Sequence, residues 1–334
     1  MSGADNAGQT GTGEALTALP DCLRLEKKGG SRSGMNIGIV KATLSAAVIG
    51  GAFAISGGSS VLASDFRSPD ILVLGDSQIS FGAGPAFVDF LSDLEASCAP
   101  TRRQKNLLKP IDTKNVAVIG VRSTSLHSWT ARSGAAKGSV CDVDPKWKVN
   151  AGSYGVVNTT KNQFVQIGQG RNYQFCKKGQ APFEAMFDPD YYAPKLLIMS
   201  FLGNASKRWR TEPELTKRDV QLMAKQLPQG MPCVFMTTAP AYKPSISKKR
   251  FDAQEKIRAV MAKEGHRCVF VNGLTEQTMA ANHGNKSFFR LNKSGNVKDP
   301  FHPNKRGARQ HLKLVGPQLC EAIFTALDGK KPKS

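Results

Sequence analysis

A serine hydroxyl becomes a useful nucleophile when a base can take its proton and a third group can orient that base. This chain carries all three groups, at opposite ends. Ser77 closes the apolar run Ile71-Leu72-Val73-Leu74-Gly75-Asp76. Asp299 and His302 stand three residues apart in Asp299-Pro300-Phe301-His302-Pro303, just before a helical C-terminal segment. Alone, Gly75-Asp76-Ser77 is an ordinary turn, and Asp299-Pro300 an ordinary loop ahead of a helix capped by Asn304. Together they argue for an enzyme.

The elements that must position these groups follow from the pattern of apolar runs. Ile71–Leu74, Val116–Ile119, Leu196–Phe201, Cys233–Met236 and Cys268–Val271 read as strands. Helix-like stretches lie between most of them: Ala86–Ser97, Glu212–Gln226, Lys248–Glu264, and Lys305–Leu327 at the end. Continuous apolar strands alternating with helices predict an α/β fold, a five-stranded parallel sheet in a three-layer αβα sandwich. Sites in such sheets lie at the carboxyl ends of the strands, where Ser77 and Gly203-Asn204 both fall. Residues of about 130–194 break the rhythm. They read as an insertion with its own β-hairpins, stapled by Cys141–Cys176, with a substrate-facing role for its aromatics and lysines.

The N-terminus directs the chain outward. Residues 1–34 are polar, Gly-rich and patternless, an extension reading as disordered or as a misassigned start. From Met35 a lysine-bearing segment leads into a small-residue apolar run and then Val61-Leu62-Ala63, so 35–63 read as a signal peptide cleaved near Ala63. The apolar run is too short to span a bilayer, which leaves no transmembrane anchor and places the 64–334 domain in a periplasm or outside the cell. Six cysteines remain after Cys22 is removed: Cys98, Cys141, Cys176, Cys233, Cys268 and Cys320. An even number in an exported chain implies three disulfides. Cys233 and Cys268 each open a strand, and pair if those strands are parallel neighbours.

The motifs resemble the SGNH (GDSL-type) hydrolases over residues 69–327. Gly75-Asp76-Ser77 matches that family's first block and Asp299-x-x-His302 its last. Gly120 after the second strand and Asn204 after the third stand in family order between them. One departure is that Leu202 stands where the third block usually has glycine two places before the Asn. The absence of a second glycine after Ser77 separates the chain from the G-x-S-x-G elbow of α/β-hydrolases. The resemblance implies the flavodoxin-like SGNH fold and a serine esterase. In it Ser77 attacks the carbonyl, His302 carries the proton, Asp299 fixes the imidazole, and an oxyanion hole forms from the Ser77 N–H, the Gly120 N–H and the Asn204 amide.

The substrate follows from charge. The chain is +20 from 46 basic and 26 acidic residues; removing the first 63 takes five basic and four acidic ones and leaves +19. Basicity of this size favours a polyanion, and export makes nucleic acid the weakest candidate. The expected substrate is an acylated, acidic cell-envelope or extracellular polysaccharide. Arg122, Arg132, Lys207, Arg208 and Arg210 are placed to ring the site, with Trp129 and Trp209 to stack on sugars. Acyltransfer to a sugar hydroxyl through the same serine is the alternative within this chemistry, and a non-catalytic polysaccharide-binding protein the alternative outside it. His127, His266, His283 and His311 lack ligand spacing, so no metal is expected, and no cofactor.

Overall fold

We describe a computed structural model covering residues 68–134, 139–142, 156–158, 175–188, 192–264 and 267–329. The chain divides into units Met1–Ser59 and Ser60–Ser334; every described residue belongs to the second. The extension and signal peptide expected before residue 64 lie outside the described residues.

The strands are β1 (Ile71–Gly75), β2 (Val116–Gly120), β3 (Val156–Asn158), β4 (Leu196–Ser200), β5 (Cys233–Met236), β6 (Val269–Val271), β7 (Phe289–Leu291) and β8 (Val297–Pro303). The helices are α1 (Gly84–Leu91), α2 (Leu94–Cys98), α3 (Arg102–Leu108), α4 (Leu126–Thr130), α5 (Pro182–Met186), α6 (Ser206–Thr211), α7 (Pro213–Gln226), α8 (Pro244–Lys263), α9 (Glu276–Asn282) and α10 (Lys305–Leu327). The main sheet has the order β3-β2-β1-β4-β5-β6. Its β2, β1, β4, β5 and β6 are parallel, and β3 pairs with β2 in the antiparallel sense. The fold is therefore α/β with a five-stranded parallel core, as the apolar runs predict.

The strands read as unbroken apolar runs because both faces are covered. Leu72 and Leu74 of β1 face one buried cluster, with Trp129, Phe183, Met223 and Ile257. Ile71 and Val73 face the other, with Phe87, Leu91, Leu312 and Ile323. The run expected as one helix, 86–97, is two, because Asp93 caps a fresh helix by accepting from the N–H of Ala96. Three disulfides close the fold: Cys98–Cys320, Cys141–Cys176 and Cys233–Cys268. The last joins the starts of neighbouring parallel strands, as their positions in sequence suggest. Within 130–194 the described residues add β3 and the short helix α5; the expected hairpins lie outside them.

Two features were not visible in sequence. One is the hairpin β7–β8, whose second strand carries Asp299 and His302. The other is a turn of π-helix, Ile79–Ala83, directly after Ser77 and Gln78. Among the described residues no helix is long and apolar enough to cross a membrane.

Candidate active site

The centre of the site is the carboxyl edge of β1. Gly75 lies in register with Gly120 of β2 on one side and Ser200 of β4 on the other, so the loops after all three strands leave from one edge. The sheet order reverses here: β2 lies on one flank of β1 and β4 on the other, the switch point where α/β sheets open a crevice. Gly75 has no room for a side chain, since a Cβ would fall 2.6 Å from the Ser200 carbonyl oxygen and 2.3 Å from Ile79 Cγ1. A glycine lets the strand turn here at once and deliver Ser77 to the edge.

Asp76 ties the edge together from beneath. It is 1% exposed. Its Oδ1 accepts from the Gln78 N–H at 2.9 Å, and its Oδ2 from the N–H groups of Leu202 and Gly203 at 3.2 and 3.0 Å. One carboxylate thus fixes the nucleophile loop to the loop bearing Asn204. Burial pushes this carboxyl up, against the Gln78 and Leu202 N–H groups and the charges of Arg250 and His302.

The serine, histidine and aspartate expected to act together are in hydrogen-bond contact. The Ser77 hydroxyl is 2.8 Å from His302 Nε2, and His302 Nδ1 is 2.7 Å from Asp299 Oδ2. With Nδ1–H donated to the carboxylate, Nε2 is left to accept the serine proton. Asp299 Oδ1 accepts in addition from the N–H groups of Phe301 and His302. Burial alone would raise the Asp299 carboxyl, but the hydrogen bond and charge of His302 and these two N–H groups hold it below the ordinary carboxylate range. A carboxylate kept ionised beside the imidazole is what stabilises an imidazolium during proton transfer. Ser77, His302 and Asp299 thus form one continuous hydrogen-bonded relay.

No family model and no curated protein sequence matches this chain. Solved structures similar to it include a candidate SGNH hydrolase from Slackia heliotrinireducens, at 14% identity and TM-score 0.35 over 77% of this chain and 100% of that one. Another is an acetylxylan esterase from Geobacillus stearothermophilus, at 11% identity and TM-score 0.33 over 81% and 99%. A third is the C-terminal catalytic domain of a Streptococcus pneumoniae peptidoglycan O-acetyltransferase, at 12% identity and TM-score 0.35 over 80% and 99%.

The other expected site residues divide. Asn204 is exposed at the edge, and its amide donates to the Thr124 carbonyl at 2.9 Å, joining the loops after β4 and β2. Gly120 does not serve as expected. The Val121 N–H bonds to the Gly75 carbonyl at 3.1 Å, and because successive N–H groups of a strand alternate in direction, that of Gly120 turns away from β1. The unusual backbone is two residues past Val121, at Ser123, with φ +60° in the left-handed region. Trp129 and Trp209 are not sugar platforms. They are 0% and 2% exposed, because α4 and α6 turn them inward, Trp129 against Phe183 and Phe201 and Trp209 against Phe235. Arg122, Arg132 and Lys207 are exposed, whereas Arg208 pairs with buried Asp219 at 3.0 Å and Arg210 donates to the Ser206 carbonyl.

Sequence reasoning missed two groups. Phe301 is 46% exposed, with its ring centroid 6.5 Å from that of His302; it stood in the Asp-x-x-His block and could have been marked there. Arg250 lies buried behind the triad, with no signal in a basic helical run. Among the described residues no group of three His, Cys, Asp or Glu side chains could hold a metal ion.

Proposed function

We propose that the protein is an exported serine esterase that removes O-acetyl or other short acyl groups from an acidic cell-envelope or extracellular polysaccharide. The observation that carries the esterase chemistry is the relay from Ser77 Oγ through His302 to Asp299, at 2.8 and 2.7 Å. Ser77 attacks the acyl carbonyl as His302 takes its proton. The imidazolium then protonates the leaving sugar oxygen, and water repeats the sequence on the acyl-enzyme. The Ser77 N–H and the Asn204 amide are the donors we assign to the oxyanion, each of a kind whose loss costs about 2.7–4 kcal/mol of transition-state stabilisation.

Three disulfides support an exported location. A charge of +19 after residue 63 supports an anionic substrate, with exposed Arg122 two residues past the end of β2, whereas Arg132 follows Thr130, whose carbonyl bonds Gln226 at the far end of α7. In place of the buried tryptophans, Phe301 is the aromatic surface beside the imidazole on which a sugar ring would rest.

Turnover of 4-nitrophenyl acetate by the protein and by Ser77→Ala tests the chemistry: the variant should fold normally and lose hydrolysis, and near wild-type turnover would refute the assignment. Salt tests the substrate. Hydrolysis of an acylated acidic polysaccharide should weaken with ionic strength through KM, because exposed charges are screened over about 8 Å at physiological salt, while the neutral ester stays nearly indifferent. Equal salt dependence would leave the esterase standing and remove the polyanion.

A further inference from the structure

Arg250 is 5% exposed on α8, a costly place for a cation unless its neighbours need it. Its Nη1 donates to the carbonyls of Ala239 and Phe301 at 3.3 and 3.2 Å. Phe301 stands between Asp299 and His302, and its carbonyl accepts a second bond, from Gln78 Nε2 at 3.1 Å. The residue after the nucleophile and a buried guanidinium thus hold one carbonyl of the segment that carries the general base. The guanidinium also approaches the nucleophile loop: Arg250 Nη2 and Asp76 Oδ2 each lie 3.5 Å from the point where a Cβ on Gly203 would sit.

We propose that Arg250 is a positioning residue of the triad, anchoring the Asp299–His302 segment to the Ser77 loop and setting, by its fixed charge, the pH at which the triad becomes active. The inference rests on the esterase reading above. Burial lowers the guanidinium to about 10 while Asp76 and Asp299 hold it charged, so it remains a cation at neutral pH. The charged groups around the imidazole are Asp299 on β8, Asp76 after β1 and Arg250 on α8. Arg290 stands opposite Asp299 in the hairpin register. Lys305, at the start of α10, is directed to Asp89 at 3.6 Å, and Tyr242, whose N–H bonds the Pro300 carbonyl, adds an adjacent phenol. His283 follows α9 and precedes Gly284, whose N–H bonds the Tyr242 carbonyl, and burial lowers its proton affinity. Asp299 is bonded to the imidazole, Asp76 interacts with its charge, and Arg250 interacts with both carboxylates, so Arg250 makes the field at the imidazole less negative. Removing that cation favours imidazolium, the form that cannot accept the serine proton.

The experiment is the pH profile of kcat/KM for 4-nitrophenyl acetate. Arg250→Gln should move the acid limb upward by about one pH unit and lower the plateau about tenfold. Arg250→Lys keeps the charge and should leave the limb in place. Gln78→Ala removes the other tether without a charge and should lower the plateau with no movement of the limb. A folded Arg250→Gln with an unmoved limb overturns the proposal, as does a Lys variant whose limb moves as far as the Gln variant's. If Arg250→Gln does not fold, Asp76→Asn decides: losing a neighbouring carboxylate should move the limb to lower pH, and no movement or an upward one overturns the proposal. Ser77→Ala separates the two readings, since activity that survives it defeats the esterase itself, whereas Ser77-dependent activity with an unmoved limb defeats only the role of Arg250.

Discussion

The substitution Gly82→Ala probes the triad from behind without touching a reacting group. Gly82 lies in the π-helical turn after Ser77. A Cβ there would meet the Pro303 carbonyl oxygen at 2.4 Å and the Asn304 carbonyl carbon at 2.9 Å. Both are backbone atoms of the two residues that follow His302, so no side chain can rotate away. Ordinary van der Waals contact needs about 3.5 Å, so the turn and the His302 segment must separate by roughly 1 Å. The Ser77–His302 hydrogen bond is 2.8 Å, and a stretch of that size leaves it beyond hydrogen-bonding range. A misplacement of about 1 Å costs on the order of 100-fold in rate, or about 2.7 kcal/mol of transition-state stabilisation. The disulfides lie elsewhere, and the substitution removes no side chain from the buried cluster that takes in Ile79 and Ala86, so the variant should fold. Steady-state hydrolysis of 4-nitrophenyl acetate, with circular dichroism and thermal unfolding on the same sample, measures both effects. A folded Gly82→Ala with wild-type kcat would show that the close approach is absent or that His302 is not the base.

Asp299→Asn should lose less activity than Ser77→Ala or His302→Ala, because Asp299 orients the imidazole and does not react; equal losses in all three would contradict that. Thiol titration of the unfolded, unreduced full chain should find only Cys22. Replacing Cys98 and Cys320 by serine should cost about 5 kcal/mol in chemical denaturation, since this bridge closes a loop of 222 residues in sequence separation, against about 4 kcal/mol for either bridge of separation 35. His311 is buried, bonds the Gly273 carbonyl and has its proton affinity lowered by burial to about 4. Unfolded, it takes a proton near pH 6.5. Its folded value being the lower, the native state keeps its full advantage above pH 6.5 and loses on the order of 3 kcal/mol as the pH falls from there to about 4. His311→Leu should flatten stability across that window, and an unchanged slope would discount the residue.

The parallel strands were legible because burial on both faces leaves no polar position to interrupt them; Ile71–Leu74 and Cys233–Met236 carry that signal undiluted. Ser77, Asp299 and His302 were legible because their residue types are informative wherever the chain puts them. What failed depended on direction. Trp129 and Trp209 stand next to site anchors in sequence, but a helical turn aims them at the core. Gly120 sits at the expected level of the sheet with its N–H on the wrong side, a fact set by strand register alone. The β7–β8 hairpin escaped notice because its first strand is three residues long and two of them, Arg290 and Leu291, are exposed. Arg250 was hidden in Lys248-Lys249-Arg250, where one of three adjacent cations turns inward and nothing local says which.

The bridge between Cys98 and Cys320 has a further meaning for a site made from two distant stretches of chain. Residue 98 lies shortly after the nucleophile and residue 320 shortly after the general base, so the bond clasps the two carriers of the chemistry to each other. A protease that cuts once anywhere between residues 98 and 302 separates Ser77 from His302 along the backbone but not as molecules. The two fragments remain one covalent species until a reductant arrives. In surroundings rich in proteases and poor in thiols, such a nick scars the polypeptide without parting the halves of its active site.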